Sequence, residues 1–325
     1  MNKHQAVTSC IVHLADSANL EWVTSNKRCS SLTGLYFESP NSTIHVTVGR
    51  HASNGNILNL NKRTMRKAIK KVIIILLAVI GISCLIWIVL FINPNLSYAN
   101  QTQFDEVTIF HNQELEEKTE VIIKGVIEIL KTSELYDESL NIQLCLNDDR
   151  IYTNLYPIFG TPIAYGFLNK TIVKNGDFKF NENIIEVQWK PNSELRKYNL
   201  TWLLAHEFTH NMQQNDNFSY TIRTTFPAKI NWKLEGHADY IARKFKNDGM
   251  LKDKIDKFLI EENNVHNGLS ATKDEIGIYW FYGYYKYALI VQYLMEEKKM
   301  NFNQICELDT DINEIYSEML KWRNS

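Results

Sequence analysis

The sequence predicts an α+β domain with a small sheet and a helical C-terminal part, preceded by one transmembrane helix. Three observations support this prediction. Residues 72–92 form an uncharged apolar run, short alternating segments occupy the middle of the chain, and helical periodicity lies on either side of them.

The apolar run Val72–Ile92 is long enough to cross the hydrocarbon core of a bilayer as a helix. Trp87 suits a position near the far interface, and Pro94 cannot continue a helix interior. The basic cluster at 61–71 places the N-terminal side in the cytoplasm and residues 95–325 outside it. This is a signal-anchor arrangement. The alternative, a buried helix of a soluble protein, seldom runs so far without a polar face.

The composition along the chain divides it into four parts. Residues 1–61 lack sustained periodicity and are predicted to be poorly ordered, 62–94 are the basic flank and membrane helix, 95–108 are a polar linker, and 109–325 are the folded domain. Met65 followed by basic residues is a possible alternative start, which would make residues 1–64 an artefact of gene calling. Small residues near Ala99 leave open a cleavage that releases the domain.

Within the domain, the apolar pattern predicts a helix at 112–131 and strands at 141–146, 170–174 and 185–189. The polar segment 215–230 is predicted to be a loop. Helices are predicted at 232–246, at 275–298, where aromatic residues are dense, and at 309–322.

The segment His206-Glu207-Phe208-Thr209-His210 carries the strongest chemical pattern. On a helix, residues four apart share a face, so the two histidines can bind one metal ion while Glu207 holds or deprotonates a water. The preceding leucines indicate a buried helix, in which two histidines and a glutamate are costly without a partner such as a metal. A helix surface that happens to carry two histidines is the alternative.

A third ligand is needed, because a catalytic zinc site uses three protein ligands and leaves the fourth position open. Glu235 and Asp239 lie one helical turn apart in the next predicted helix. Glu235 is predicted to be the ligand, and Asp239 is predicted to accept the free ring N–H of one histidine.

The two motifs together, His-Glu-x-x-His and Trp-x-x-Glu-Gly-x-Ala-x-Tyr, resemble the gluzincin metallopeptidases, specifically the MA-like peptidases, over about residues 112–305. Only the two motif helices carry the resemblance. Gln213 and Asp216 stand where the metzincin pattern has glycine and histidine.

This resemblance implies a thermolysin-like (zincin) catalytic domain with an active-site helix, one Zn²⁺ ion and hydrolysis of a peptide or protein substrate. It also implies a tyrosine on the following helix that faces the metal and stabilises an oxyanion, for which Tyr284 is the closest match and Tyr285 the second. An edge strand in such domains pairs with the substrate backbone, and Tyr165–Leu168 is the candidate.

Composition limits the other possibilities. A formal charge of −2 gives no reason to expect nucleic-acid binding. The domain contains two cysteines, Cys145 and Cys306, which could pair outside the cytoplasm, although nothing in the sequence requires it. A surface-exposed, catalytically inactive binding or sensor module remains the alternative function, but a pure binder would not need Glu207.

Overall fold

The computed structural model describes residues 55–146, 164–167, 169–173, 176–188, 194–225, 230–246, 249–262, 271–273 and 279–325. The chain divides into two units, residues 1–67 and 68–325. The first unit is described only from Gly55, where a helix begins. Predictions for residues 1–54, including most of the segment expected to be poorly ordered, lie outside the described residues.

The first helix, α1 (Gly55–Ile92), contains the predicted apolar span. Its residues 67–90 have a mean hydropathy of 3.2 and are long and apolar enough to cross a membrane. Residues 55–61 are helical, which corrects the prediction of poor order there. The physical reason is that no proline or glycine separates Asn56 from the apolar run, so the helix propagates backwards along the chain.

Two strands follow α1 closely, so the segment 95–108 that was predicted to be a linker contains regular structure. A short 3₁₀ turn (Pro94–Leu96) leads into β1 (Asn100–Phe104), which pairs antiparallel with β2 (Val107–His111). The strand β1 was not predicted from the sequence, because it is polar, largely exposed and at the edge of a sheet, and therefore lacks an alternating apolar pattern. Paired structure is therefore present before residue 109.

The main sheet has five strands in the order β1-β2-β3-β5-β4. Its other strands are β3 (Ile142–Cys145), β4 (Ala164–Phe167) and β5 (Lys170–Val173). The pairs β2–β3 and β3–β5 are parallel, whereas β4 pairs antiparallel with β5 and forms an edge. The strands predicted at 141–146 and 170–174 are confirmed, and the sheet is mixed.

A second sheet is antiparallel, with the order β6-β7-β8. Its strands are β6 (Gly176–Lys179), β7 (Ile184–Gln188) and β8 (Leu195–Asn199). The strand predicted at 185–189 corresponds to β7. A two-stranded sheet joins β9 (Ala271–Lys273) to β10 (Tyr279–Phe281).

Helices make up most of the rest of the described domain. They are α2 (Thr119–Leu130), α3 (Leu200–Asp216), α4 (Phe218–Thr225), α5 (Trp232–Ala242), α6 (Leu251–Glu262), α7 (Tyr282–Glu296), α8 (Phe302–Glu307) and α9 (Ile312–Arg323). This mixed α+β architecture agrees with the predicted class.

Three of the predicted element boundaries are wrong. The helix expected from residue 112 begins at Thr119, because Glu116 and Lys118 bond to Asn181 instead of continuing a helix. The loop expected at 215–230 contains α4, and the helix expected at 275–298 is divided between β10 and α7. Aromatic side chains suit both strands and helices, so the boundary between β10 and α7 was not visible in the sequence.

The largest hydrophobic core surrounds α3, which packs against the main sheet, α2 and α5. The helix α5 packs in turn against α7. A β-carbon on Gly236 would lie 2.6 Å from the Tyr287 carbonyl oxygen, so these two helices approach at their backbones. Cys145 and Cys306 are buried in separate clusters, so the disulfide between them that the sequence left open is not formed.

Candidate metal centre

The helix α3 carries the two histidines through the interior of the domain. Asn199 caps its N-terminus by accepting a hydrogen bond from the Trp202 backbone N–H at 2.9 Å. His206 and His210 lie one turn apart, and their rings meet edge to face with centroids 4.8 Å apart. Their Nε2 atoms are separated by 3.2 Å, so both nitrogens point at one place.

The helix α5 brings a carboxylate to the same place. Asn231 caps this helix through the Lys233 backbone N–H, and Glu235 lies in its first turn. Glu235 Oε2 is 3.2 Å from His206 Nε2 and 3.6 Å from His210 Nε2. The three ligand atoms all lie within 4.8 Å of one another.

These three groups shift each other's ionisation. Burial alone would raise the pKa of Glu235, but the charge of His210 and hydrogen bonds from both histidines outweigh burial and hold that pKa well below its usual range. Burial opposes protonation of His210, but the charge of Glu235, a hydrogen bond to it, and smaller contributions from Glu207 and Gln213 together outweigh burial and raise the pKa of His210 to about 9. The carboxylate is therefore ionised and ready to bind a cation.

The donor set fits zinc. Two imidazole nitrogens and one carboxylate oxygen are ligands of the kind used in catalytic zinc sites, in which three protein ligands leave a position for water or substrate. The three donors come from facing sides of α3 and α5, and both helices are held in place by the core.

Glu207 is buried next to the cluster but does not belong to it. Its side of α3 faces the edge strand β4, where a β-carbon on Gly166 would lie 2.3 Å from the Glu207 carbonyl oxygen. Burial raises the pKa of the Glu207 carboxyl, while the two histidines and the Gly166 backbone N–H act in the opposite direction. A carboxyl with a raised pKa is suited to accept and return a proton near neutral pH.

Asp239 does not make the predicted contact with a histidine. Its two oxygens accept hydrogen bonds from Trp202 Nε1 at 2.7 Å and from Arg243 Nε at 2.5 Å. In the part of the chain that the structure describes, His206 Nδ1 is buried without a hydrogen-bond partner. Asp239 is fully buried, and Arg243, four residues further along the chain, forms an ion pair with it. This ion pair occupies an oxygen that the sequence assigned to a histidine.

Gln213 makes the contact that the sequence assigned to Asp239. Its Oε1 lies 2.8 Å from His210 Nδ1, and its Nε2 donates to the Leu234 carbonyl at 2.9 Å and lies 3.2 Å from His237 Nδ1. Gln213 thus orients one histidine and ties α3 to the residue beside Glu235. The spacing of three residues between His210 and Gln213 is the sequence feature that could have predicted this contact.

Tyr284 lies against the cluster, and Tyr285 does not. The Tyr284 ring stacks on His206 with centroids 5.7 Å apart and an interplanar angle of 10°. The negative charge of Glu235, followed by burial, raises the pKa of the Tyr284 hydroxyl, so it stays protonated. Tyr285 instead packs on Phe258 and Arg243. Of the two tyrosines that the resemblance offered, Tyr284 is therefore the one beside the site.

A collagenase family model, Peptidase M9, matches residues 176–319. This match supports a zinc metallopeptidase. The matched range contains α3, α5 and α7, and therefore every residue of the candidate centre named above except Gly166. No curated protein and no solved structure matches the chain.

Proposed function

We propose that this chain is a membrane-anchored, zinc-dependent metallopeptidase of the gluzincin type that hydrolyses peptide bonds. The observation that carries the proposal is the convergence of His206, His210 and Glu235 within 4.8 Å, next to the buried carboxyl of Glu207. The collagenase match over both motif helices supports the same reaction class.

His206, His210 and Glu235 would hold the zinc ion. When bound there, zinc would polarise the scissile carbonyl and lower the pKa of a water molecule toward neutrality. When zinc is bound, His210 would keep its proton on Nδ1, where Gln213 Oε1 can accept a hydrogen bond from it, and would present Nε2 to the metal.

The protein's own groups then move the proton. Glu207 accepts a proton from the attacking water, whose oxygen forms a bond to the carbonyl carbon. Glu207 returns that proton to the amide nitrogen as the carbon–nitrogen bond breaks, so the products are one carboxylic acid and one amine, which exchange a proton to give a carboxylate and an ammonium group. The protonated Tyr284 hydroxyl donates a hydrogen bond to the developing oxyanion.

We propose a thermolysin-like fold for the domain, and the arrangement of the main sheet supports it. A mixed five-stranded sheet has an antiparallel edge strand, β4, packed against α3. Through Gly166 this strand comes within contact of the Glu207 backbone, and this closeness supports a role in binding an extended substrate. We therefore propose β4 as the strand that guides the substrate.

The membrane arrangement is a single-pass anchor with the N-terminus in the cytoplasm and the metal centre outside. The span at 67–90 and the lysines and arginines before it support this orientation. Release by cleavage near Ala99 is disfavoured, because Tyr98 is buried and its hydroxyl donates to the Leu146 carbonyl at 2.7 Å. Tyr98 is thus part of the folded domain.

The test uses the full chain in detergent with Glu207→Gln and Glu235→Ala variants. Glu207→Gln should keep about one zinc per chain and lose turnover of a random peptide pool, whereas Glu235→Ala should lose the zinc. Near-full activity of Glu207→Gln would refute the general base. A folded wild-type protein that binds zinc but cleaves no peptide would favour the inactive binding module.

A further inference from the structure

One face of the main sheet carries a row of side chains that runs to the edge strand beside the metal centre. Phe110 is paired with Cys145, Cys145 with Ile172, and Ile172 with Tyr165. Directly paired residues of neighbouring strands project to the same face, so these four side chains form one continuous strip. They belong to a cluster that is separate from the main core.

The end of the membrane helix packs on this strip. Trp87 of α1 and Tyr98 belong to the same cluster, and the Tyr98 ring lies 6.0 Å from that of Phe110. The connection from Ile92 to Asn100 is short, and Pro94 and Tyr98 within it are buried. The connection is therefore held against the sheet and does not act as a free tether.

The strip also limits how far the metal centre can lie from the membrane. From Phe110 to Tyr165 there are three strand spacings, about 14 Å. Gly166, the next residue along β4, is in contact with the backbone of Glu207. Because a tryptophan at the end of a membrane helix sits at the level of the headgroups, Glu207 lies within roughly 20 Å of that level.

We propose that the substrates are extracytoplasmic juxtamembrane segments of other membrane-anchored proteins, cut within about ten residues of the bilayer. This inference rests on the proposed function. An extended chain covers about 3.3–3.6 Å per residue, so roughly six residues reach from the headgroups to Glu207. A substrate anchored in the same membrane also has a high effective concentration at the site, which a soluble peptide lacks.

The experiment uses the full chain in liposomes. A pool of random decapeptides, soluble and free, first identifies a sequence that wild type cuts and Glu207→Gln does not. Four copies of that sequence in tandem are then attached to a lipid anchor, and mass spectrometry locates the first cut. The expected result is a first cut in the repeat nearest the anchor, at a rate at least tenfold above that of the soluble peptide at equal bulk concentration.

A variant tests the short connection directly. A flexible insert of about twenty residues after Ser97 leaves Tyr98 in the sheet but separates the domain from α1, with a reach of about 25 Å. It should spread the cuts over all four repeats and leave cleavage of the soluble peptide unchanged. Even cutting of all repeats by wild type, at the rate of the soluble peptide, would overturn the inference and leave the peptidase function intact. Absence of any cleavage, with the soluble pool included, would refute the function itself and the inference with it.

Discussion

Replacing Gln213 with leucine tests whether a side chain that is not a ligand determines zinc affinity. Leucine has nearly the same volume, but it removes the hydrogen bond to His210 Nδ1, the hydrogen bond to the Leu234 carbonyl and the contact with His237. Gln213 is fully buried, so water cannot replace these partners easily.

The expected losses of stability and zinc affinity follow from the hydrogen-bonding groups of His210, Leu234 and His237 that would lose their partner. A buried polar group that loses its partner costs about 1–3 kcal/mol, so the free energy of unfolding should fall by about 2–4 kcal/mol. Removal of a hydrogen bond behind a ligand histidine typically weakens metal binding 10–100-fold. That loss corresponds to about 1.4–2.7 kcal/mol of binding free energy.

The assay is zinc competition with a chromophoric chelator, combined with chemical denaturation of the zinc-free protein. Gln213→Glu supplies an acceptor to His210 but no donor to the Leu234 carbonyl, so it should recover most of the zinc affinity and little of the stability. Gln214→Leu is the matched control. Gln214 is a buried neighbour whose amide donates to the Gly166 backbone carbonyl at 2.6 Å instead of to a ligand side chain.

Wild-type zinc affinity in a folded Gln213→Leu protein would refute the positioning role. So would an equal loss of zinc affinity in Gln214→Leu, because the effect would then be a general consequence of a weakened α3. A positioning role for Gln213 predicts that the two variants differ in zinc affinity while both are less stable than wild type.

Three further predictions concern the neighbouring residues. Glu235→Ala should weaken zinc binding far more than Asp239→Ala, which should act mainly on stability through Trp202 and Arg243; equal, small effects on zinc titrations would remove both from the site. Tyr284→Phe should lower kcat about 100-fold with little change in KM, and Tyr285→Phe should not, so indistinguishable kinetics would exclude the oxyanion role. Gly236→Ala should lower Tm, because its β-carbon would meet the Tyr287 backbone, whereas Gly125→Ala has open space within α2 and should stabilise by about 0.5–1 kcal/mol; thermal melts of both variants test the backbone contact between α5 and α7.

Features that depend on residue spacing within a single helix or strand could be predicted from the sequence. The separation of His206 and His210 by four residues and the alternation of β3 and β7 are local patterns, and both agree with the structure. The polar strand β1 was missed, because its stability comes from pairing with β2 and not from its own side chains.

The surroundings of the site depended on tertiary packing. Asp239 and Gln213 both lie at helical spacing from a candidate ligand, and sequence reasoning chose the carboxylate because carboxylates commonly orient ligand histidines. The structure instead pairs Asp239 with Arg243 and turns Gln213 toward His210. The order of β3, β5 and β4 in the sheet likewise joins segments that share no local pattern.

The burial of α3 has a consequence for how this protein can change. Most of its residues are buried, and the candidate catalytic side chains alternate with core residues such as Leu204 and Phe208. A substitution in α3 therefore changes cellular abundance and turnover together, and a screen that measures only activity would mix the two. Directed evolution of selectivity would have more freedom at α4, where residues such as Phe218 and Arg223 are exposed and substitutions disturb the interior less.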